Sequence, residues 1–217
     1  MPLIRSAALR RAGAYVPPPA GDLAVVGSSG VKSVFAFTVP VPAGTQDGDL
    51  MLAFVARRSN STAPNLATQG WTPLEFGTGT SGNTLAWLYS KVASSEPATY
   101  SIASGGHAGA AIVTLRNGSI DASALDSGGS SSSYEAPSVA ASEAPGILVC
   151  FWVIASGTVS ADLTPPGTMT TLQQAGDTNL RFALAWEAFA SAGALGVRTA
   201  TGPAISGDRT GISVAVV

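Results

Sequence analysis

The sequence predicts an all-β fold: a jelly-roll-like antiparallel β-sandwich built from two similar four-strand units, with an extended N-terminal arm. Three observations predict it. Apolar runs recur every ~10–15 residues between Gly-, Pro- and Ser-rich turns, the spacing of a sandwich or barrel. No segment after residue 21 sustains the helical period of 3.6 residues. The strand pattern also occurs twice. Residues 47–59 and 145–156 are both apolar runs launched from a glycine turn. Gly70-Trp71-Thr72-Pro73-Leu74 is answered by the stretch 166–172, and residues 87–95 by 184–192. Ala111-Ile112-Val113-Thr114-Leu115 is answered by residues 212–216. A single four-strand sheet would leave a wide apolar face in water. Stacking the two units buries it, at ~25 cal/mol per Å². The expected organisation is an arm over 1–21 and one sandwich over 22–217, with an internal pseudo-repeat of 23–126 and 134–217.

In chain order, Leu3, Ile4, Ala7, Ala8 and Leu9 have the spacing for one or two helical turns, which Gly13 then weakens. Pro17, Pro18 and Pro19 set a polyproline stretch that cannot enter a sheet interior. Arg5, Arg10 and Arg11 are the basic concentration of the chain. Two readings apply to this segment: a solvated tail, or an assembly anchor. In the second, Leu3, Ile4 and Leu9 supply apolar contacts to a partner subunit, the three arginines flank them, and the prolines act as a stiff spacer.

From residue 23 the pattern is β. Residues 34–39 are rich in β-formers and are ended by Pro40 and Pro42. Asp47-Gly48-Asp49 is a turn, and Leu50 to Ala56 reads as a strand buried on both faces. Residues 59–69 read as an exposed loop and 77–83 as a mobile hairpin connection. Thr84 to Val92 alternates, with Leu85, Trp87, Tyr89 and Lys91 on one face. Strands follow over 99–102 and 110–116, the latter stopped by Asn117-Gly118. The Gly/Ser-rich segment 127–133 reads as a flexible crossover between the units. The second unit is expected to run through strands near 147–155, 169–174, 180–189, 194–200 and 211–217.

Composition narrows the function classes. Hydrophobic residues make up 46% of the 217 residues and charged residues only 11%, against about a quarter charged in ordinary domains. So few charges favour a surface shared within an assembly or rich in hydroxyl groups. The net charge of −2 argues against a nucleic-acid partner, which calls for a basic stripe. No apolar run reaches the ~18 residues of a membrane-spanning helix, and the first residues lack the continuous apolar core of a secretory signal. A chain made and assembled in a cytoplasm is expected.

Candidate chemistry is sparse. Cys150 is the one cysteine, and its apolar surroundings imply an inert buried thiol. His107 is the one histidine, so a His-rich metal site is ruled out and no metal or cofactor is expected. The carboxylates are scattered, with no spacing that sets up the paired acids of a glycosidase. Asp47 and Asp49 are assigned to turn stabilisation rather than to a cation, which needs six or more oxygens. No catalytic residue is assigned. Among aromatic and loop residues, Trp71, Asn83 and His107 are candidates for glycan contact, because an indole can stack on a sugar face and amide and imidazole groups can bond its hydroxyls. The competing readings are packing at the sandwich edge for Trp71 and a rim position for His107.

The string Gly48-Asp49-Leu50-Met51-Leu52-Ala53-Phe54-Val55-Ala56, with Gly70-Trp71-Thr72-Pro73-Leu74 and Leu88-Tyr89-Ser90-Lys91-Val92-Ala93, resembles a module of tailed-bacteriophage virion structural proteins of the minor tail, fibre and surface-decoration type. The similarity spans 23–217 and is most specific over 47–116. It implies a β-sandwich, a place on the virion, other virion proteins as partners and no catalytic residues. A homo-oligomer accords with the low charge, and a trimer is a guess drawn from the resemblance alone. A carbohydrate-binding module for a host surface glycan is the alternative.

Overall fold

A computed structural model describes residues 21–33, 36–58, 63–103, 106–129 and 131–217. The arm residues Leu3, Ile4, Arg5, Leu9, Arg10, Arg11, Pro17, Pro18 and Pro19 lie outside that set. The described residues are all-β. Sixteen strands run as β1 (Ala24–Ser33), β2 (Phe37–Pro40), β3 (Leu50–Arg58), β4 (Thr72–Thr78), β5 (Thr84–Val92), β6 (Thr99–Ile102), β7 (Ala108–Arg116), β8 (Ile120–Gly128), β9 (Ser131–Ala136), β10 (Ala140–Ala141), β11 (Gly146–Ala155), β12 (Thr170–Gly176), β13 (Leu180–Phe189), β14 (Gly193–Ala194), β15 (Arg198–Ile205) and β16 (Asp208–Val216). One 3-10 turn, Ala67–Gln69, interrupts them.

The strands form two five-stranded antiparallel sheets, ordered β1-β7-β3-β5-β4 and β8-β16-β11-β13-β12, and three two-strand ribbons. Read by position, the two orders are the same. The ribbon β2–β6 of the first half likewise corresponds to β9–β15 of the second. The repeat is therefore real and larger than expected, with five main strands in each half rather than four. Each sheet comes wholly from one half of the chain.

The extra strands escaped the sequence reading for a physical reason. β1 and β8 are edge strands made largely of Ala, Gly, Ser and Asp, so they lack the apolar signal of the central strands. The boundary between halves also differs from the expected one. β8 belongs to the second sheet, so the halves meet at residues 117–119. The Ser-rich segment expected to be a flexible crossover instead carries the end of β8 and the start of β9.

Inner faces of the two sheets share one core. Leu50, Leu52, Phe54 and Ala56 of β3 meet Ile147, Val149, Phe151 and Val153 of β11, flanked by Leu88, Val113, Phe182, Leu184 and Val214. Phe54 stacks on Phe151 with ring centroids 5.1 Å apart. The outer faces are also covered. Met51, Ala53, Val55, Leu85, Trp87 and Tyr89 pack under Val39, Tyr100 and Ile102 of the β2–β6 ribbon. Leu148, Cys150, Trp152 and Ile154 pack under Tyr134, Ala136 and Ala200 of the β9–β15 ribbon. The order of layers is ribbon, sheet, sheet, ribbon. This explains why β3 and β11 read as continuous apolar runs: both faces of each strand are buried.

Edges of the sandwich close in matched pairs. β4 lies against β8, where Ser123 Oγ donates to Glu75 Oε1 at 2.6 Å. β1 lies against β12, where Gln173 Nε2 donates to Ser28 Oγ at 3.0 Å. By strand pairing, Ser28 and Ser123 occupy equivalent positions, as do Glu75 and Gln173. The halves are thus related by an approximate two-fold axis along the strands, between Phe54 and Phe151.

Candidate functional site

Because the axis runs along the strands, the two ends of the sandwich differ. The described chain enters β1 at one end, next to the C-terminal end of β7: Ala24 faces Arg116 and Ser33 faces Ala108. Asn83 and His107 lie at the other end, beside the C-terminal ends of β3 and β11. The hairpins β4–β5 and β12–β13 turn there as well.

Two latches join the halves at this hairpin end. Asp208 is only 2% exposed and sits opposite Ala155 at the start of β16. Its carboxylate accepts from the Ser81 backbone N–H at 3.0 Å, from Ser81 Oγ at 2.8 Å and from the Asn83 N–H at 2.8 Å. Thr84 Oγ1 donates to the Asp208 carbonyl at 2.9 Å. Burial works to raise the pKa of this carboxyl. The hydrogen bonds from Ser81, Asn83 and Thr84 outweigh burial, and the pKa falls below the usual carboxylate value. The 79–83 connection, expected to be mobile, is therefore clamped by the opposite half.

The second latch is the first one's counterpart. His107 stands in β7's entry where Asp208 stands in β16's, and Asp177 stands where Ser81 stands. His107 Nδ1 lies 3.0 Å from Asp177 Oδ2, and Lys32 Nζ lies 3.7 Å from the same oxygen. Asp177 Oδ1 also accepts from the Asn179 N–H at 2.7 Å and the Leu180 N–H at 3.1 Å. Burial again acts upward, and the bonds from Asn179, His107 and Leu180 bring the Asp177 pKa down. In one latch the carboxylate reaches across to a hairpin. In the other it belongs to the hairpin, and the imidazole reaches across. Arg58 adds a bond to Asn179 of the opposite half.

Between the latches is a polar depression of about 150 Å³ lined by Arg58, Asn83, Ala155, Ser156, Gly157, Ser206 and Gly207. His107 is partly exposed nearby, through its chain neighbourhood with Arg58: the Arg58 N–H donates to the His107 carbonyl at 2.9 Å. Of the sequence candidates, Asn83 and His107 thus share one end of the molecule. Trp71 does not join them. It is 3% exposed and packs edge-on against Tyr100, with centroids 5.1 Å apart, in the outer core of the first half. Its face is not available for stacking on a sugar, and the competing packing reading accounts for it.

Other residues singled out by sequence are structural. Asp47 Oδ1 accepts from the Ser95 N–H. Asp49 accepts from the Gln46 N–H at 2.8 Å and from Arg116 Nε and Nη2, both at 3.0 Å. Both are turn residues, as expected. Cys150 is fully buried, and burial pushes its thiol up to about 12, far from the thiolate a nucleophile requires. Among the described residues no group of three or more His, Cys, Asp or Glu side chains converges. No helix among them is long and apolar enough to cross a membrane.

The opposite end carries a cavity of about 440 Å³, an apolar groove lined by Leu23, Val25, Ile147, Trp186 and Phe189 together with Asp22 and Pro145. Sequence reasoning did not single out this site. The pair of aromatics at 186 and 189, with no aromatic at the matching positions of the first half, was the signal available. In comparisons with known proteins, no family model, no curated protein and no solved structure matches the chain.

Proposed function

We propose that the chain is a virion structural protein of a tailed bacteriophage, attached through its N-terminal segment and projecting the sandwich outward. The observation that carries this reading is the end-to-end polarity of the fold. The N-terminal segment joins the sandwich at the grooved end, opposite the hairpins, so anchoring the segment would present the hairpin end to solvent. The motif resemblance over 47–116 and the 11% charge content support a place in an assembly. Removing residues 1–20 is expected to abolish incorporation into particles, read by immunogold labelling, while the β-type circular dichroism persists. Full incorporation of the truncated chain would refute the anchor.

A second reading, a carbohydrate-binding module for a host surface glycan, is favoured by one observation: Asn83 and Arg58 line a polar depression at the presented end, and His107 stands beside it. Amide, guanidinium and hydroxyl groups are the donors that sugar hydroxyls and acidic sugars require. Glycan-array binding that is lost in Asn83→Ala and His107→Ala would support it. Binding unchanged in both would remove these residues from the site.

A further inference from the structure

We propose that the polar depression at the hairpin end is an oxyanion subsite, in which Arg58 holds the carboxylate of an acidic sugar. The inference rests on the glycan-binding reading and names the chemical group that such a site would recognise.

Arg58 is a cation without a counter-ion. All 13 Asp and Glu residues of the chain lie among the described residues. Lys32, Lys91, Arg116, Arg181, Arg198 and Arg209 each pair with one of them, and Arg57 lies over the Trp87 ring. None of these carboxylates stands within ion-pair distance of Arg58. Its Nη1 donates to Asn179 Oδ1, a neutral acceptor, and its buried Nε has no hydrogen-bond partner among the described residues. A partly buried charge is ordinarily paired. The planar fork of a guanidinium fits a carboxylate through two parallel N–H donors. The fold itself does not call for a charge at this place: by strand pairing, the equivalent residue of the second half is Ala155, on the opposite wall of the same depression.

The space beside the guanidinium is open. A Cβ on Gly157, which lines the depression, would lie 3.7 Å from Arg58 Nη2, and no other described atom beyond its chain neighbours comes within 4 Å of that point. The remaining lining brings the Asn83 amide and the Ser156 and Ser206 hydroxyls, and no carboxylate. The two nearest acids are already engaged. Asp208 accepts from Ser81 and Asn83. Asp177 accepts from Asn179 and Leu180, with His107 and Lys32 beside its other oxygen. Size narrows the ligand further. A volume of about 150 Å³ is several times the ~30 Å³ share of one water but below the ~300–1,000 Å³ of drug-sized pockets. It takes one charged group with the edge of its ring, so the rest of a glycan would lie outside it.

The test titrates the full-length chain, by calorimetry, with a tetramer of galacturonic acid and a tetramer of sialic acid. Each is run beside its methyl-esterified, uncharged form, and sodium sulfate is run as a free oxyanion. At least one acidic tetramer is expected to bind, with its ester weaker by about tenfold or more, the loss of a charge-assisted pair. Arg58→Gln is expected to abolish that preference. Gly157→Asp is expected to do the same, because it sets a carboxylate beside Arg58 while keeping the bond to Asn179. It also serves where Arg58→Gln fails to fold, which circular dichroism would reveal. Equal binding of acid and ester overturns the carboxylate inference and leaves the glycan reading standing. A preference for the acid that survives in Gly157→Asp puts the site elsewhere and overturns the proposal. Binding of none of the four sugars overturns the proposal and the glycan reading together. Sulfate that binds as tightly as the acidic tetramers, and equally through Arg58, overturns the assignment to a sugar and leaves a site for free anions.

Discussion

At the scale of single residues, the most consequential side chains are Asp208 and His107, which differ although they occupy equivalent positions. The fold supplies each half with a strand entry that reaches the other half's hairpin. The sequence fills one entry with a carboxylate and the other with an imidazole, so the carboxylates of both latches come from the second half. Asp208 accepts bonds from Ser81 and Asn83, and its pKa is lowered on folding. A lowered folded pKa means that its stabilisation is complete above the unfolded carboxyl value of ~3.9. It is lost as pH falls through the still lower folded value. Asp208→Asn is therefore expected to cost about 1–3 kcal/mol near pH 7. The gap to the wild type should narrow below about pH 4, measured by urea denaturation across that range. A gap that is constant with pH would show that the charge contributes nothing. His107 was visible in the sequence as the one histidine, but its partner was not. Asp177 lies 70 positions away, and no local spacing encodes that pairing.

At the scale of elements, legibility followed burial. The central strands β3, β5, β7, β11 and β13 carry large apolar residues on one or both faces, and their patterns were readable. The face of Leu85, Trp87 and Tyr89 was assigned correctly and lies in the outer core. The edge strands β1 and β8 were not readable, because a strand sealed by hydrogen bonds such as Ser123 to Glu75 needs small and polar residues instead. Bulges interrupt the β1–β7 and β4–β5 pairings, between Val25 and Gly27 and between Pro73 and Glu75. The β12–β13 pairing has its bulge at the place equivalent to the second of these. Such irregularity protects exposed edges from pairing with other chains and blurs the period-two signal at the same time.

The outer ribbons are held by close backbone approach as well as by side chains. A side chain on Gly211 of β16 would run into the Glu135 backbone of β9. Gly211→Ala is expected to destabilise the protein by about 3 kcal/mol, since backbone cannot yield as a rotamer can. Gly167→Ala, with nothing near its Cβ, should stay within about 0.5 kcal/mol. Equal effects of the two in thermal or chemical melts would contradict the packing described.

At the scale of the whole molecule, the two halves share their largest core, centred on Phe54 and Phe151, and are crosslinked at the hairpin end and along both edges. Neither sheet has another cover for its inner face. Unfolding is therefore expected as one cooperative transition, with coincident near-ultraviolet and far-ultraviolet dichroism curves. Two separable transitions would make the halves independent domains. The functional reading rests on the same scale: hairpins and polar depression at one end, chain entry and apolar groove at the other.

By itself, the sequence determined the fold class, the repeat, the buried central strands and the inertness of Cys150. These depend on local hydrophobic pattern and composition, which a chain displays without regard to its fold. The tertiary structure alone decided that each half is a five-stranded sheet under its own ribbon and that Trp71 is packed away. It also decided that Asp208 and His107 bridge the halves, and that Trp186 and Phe189 border a groove beside the chain's entry. Those facts arise from contacts between residues far apart in the chain. Only the stacking of two similar sheets about a common axis brings such residues within bonding distance.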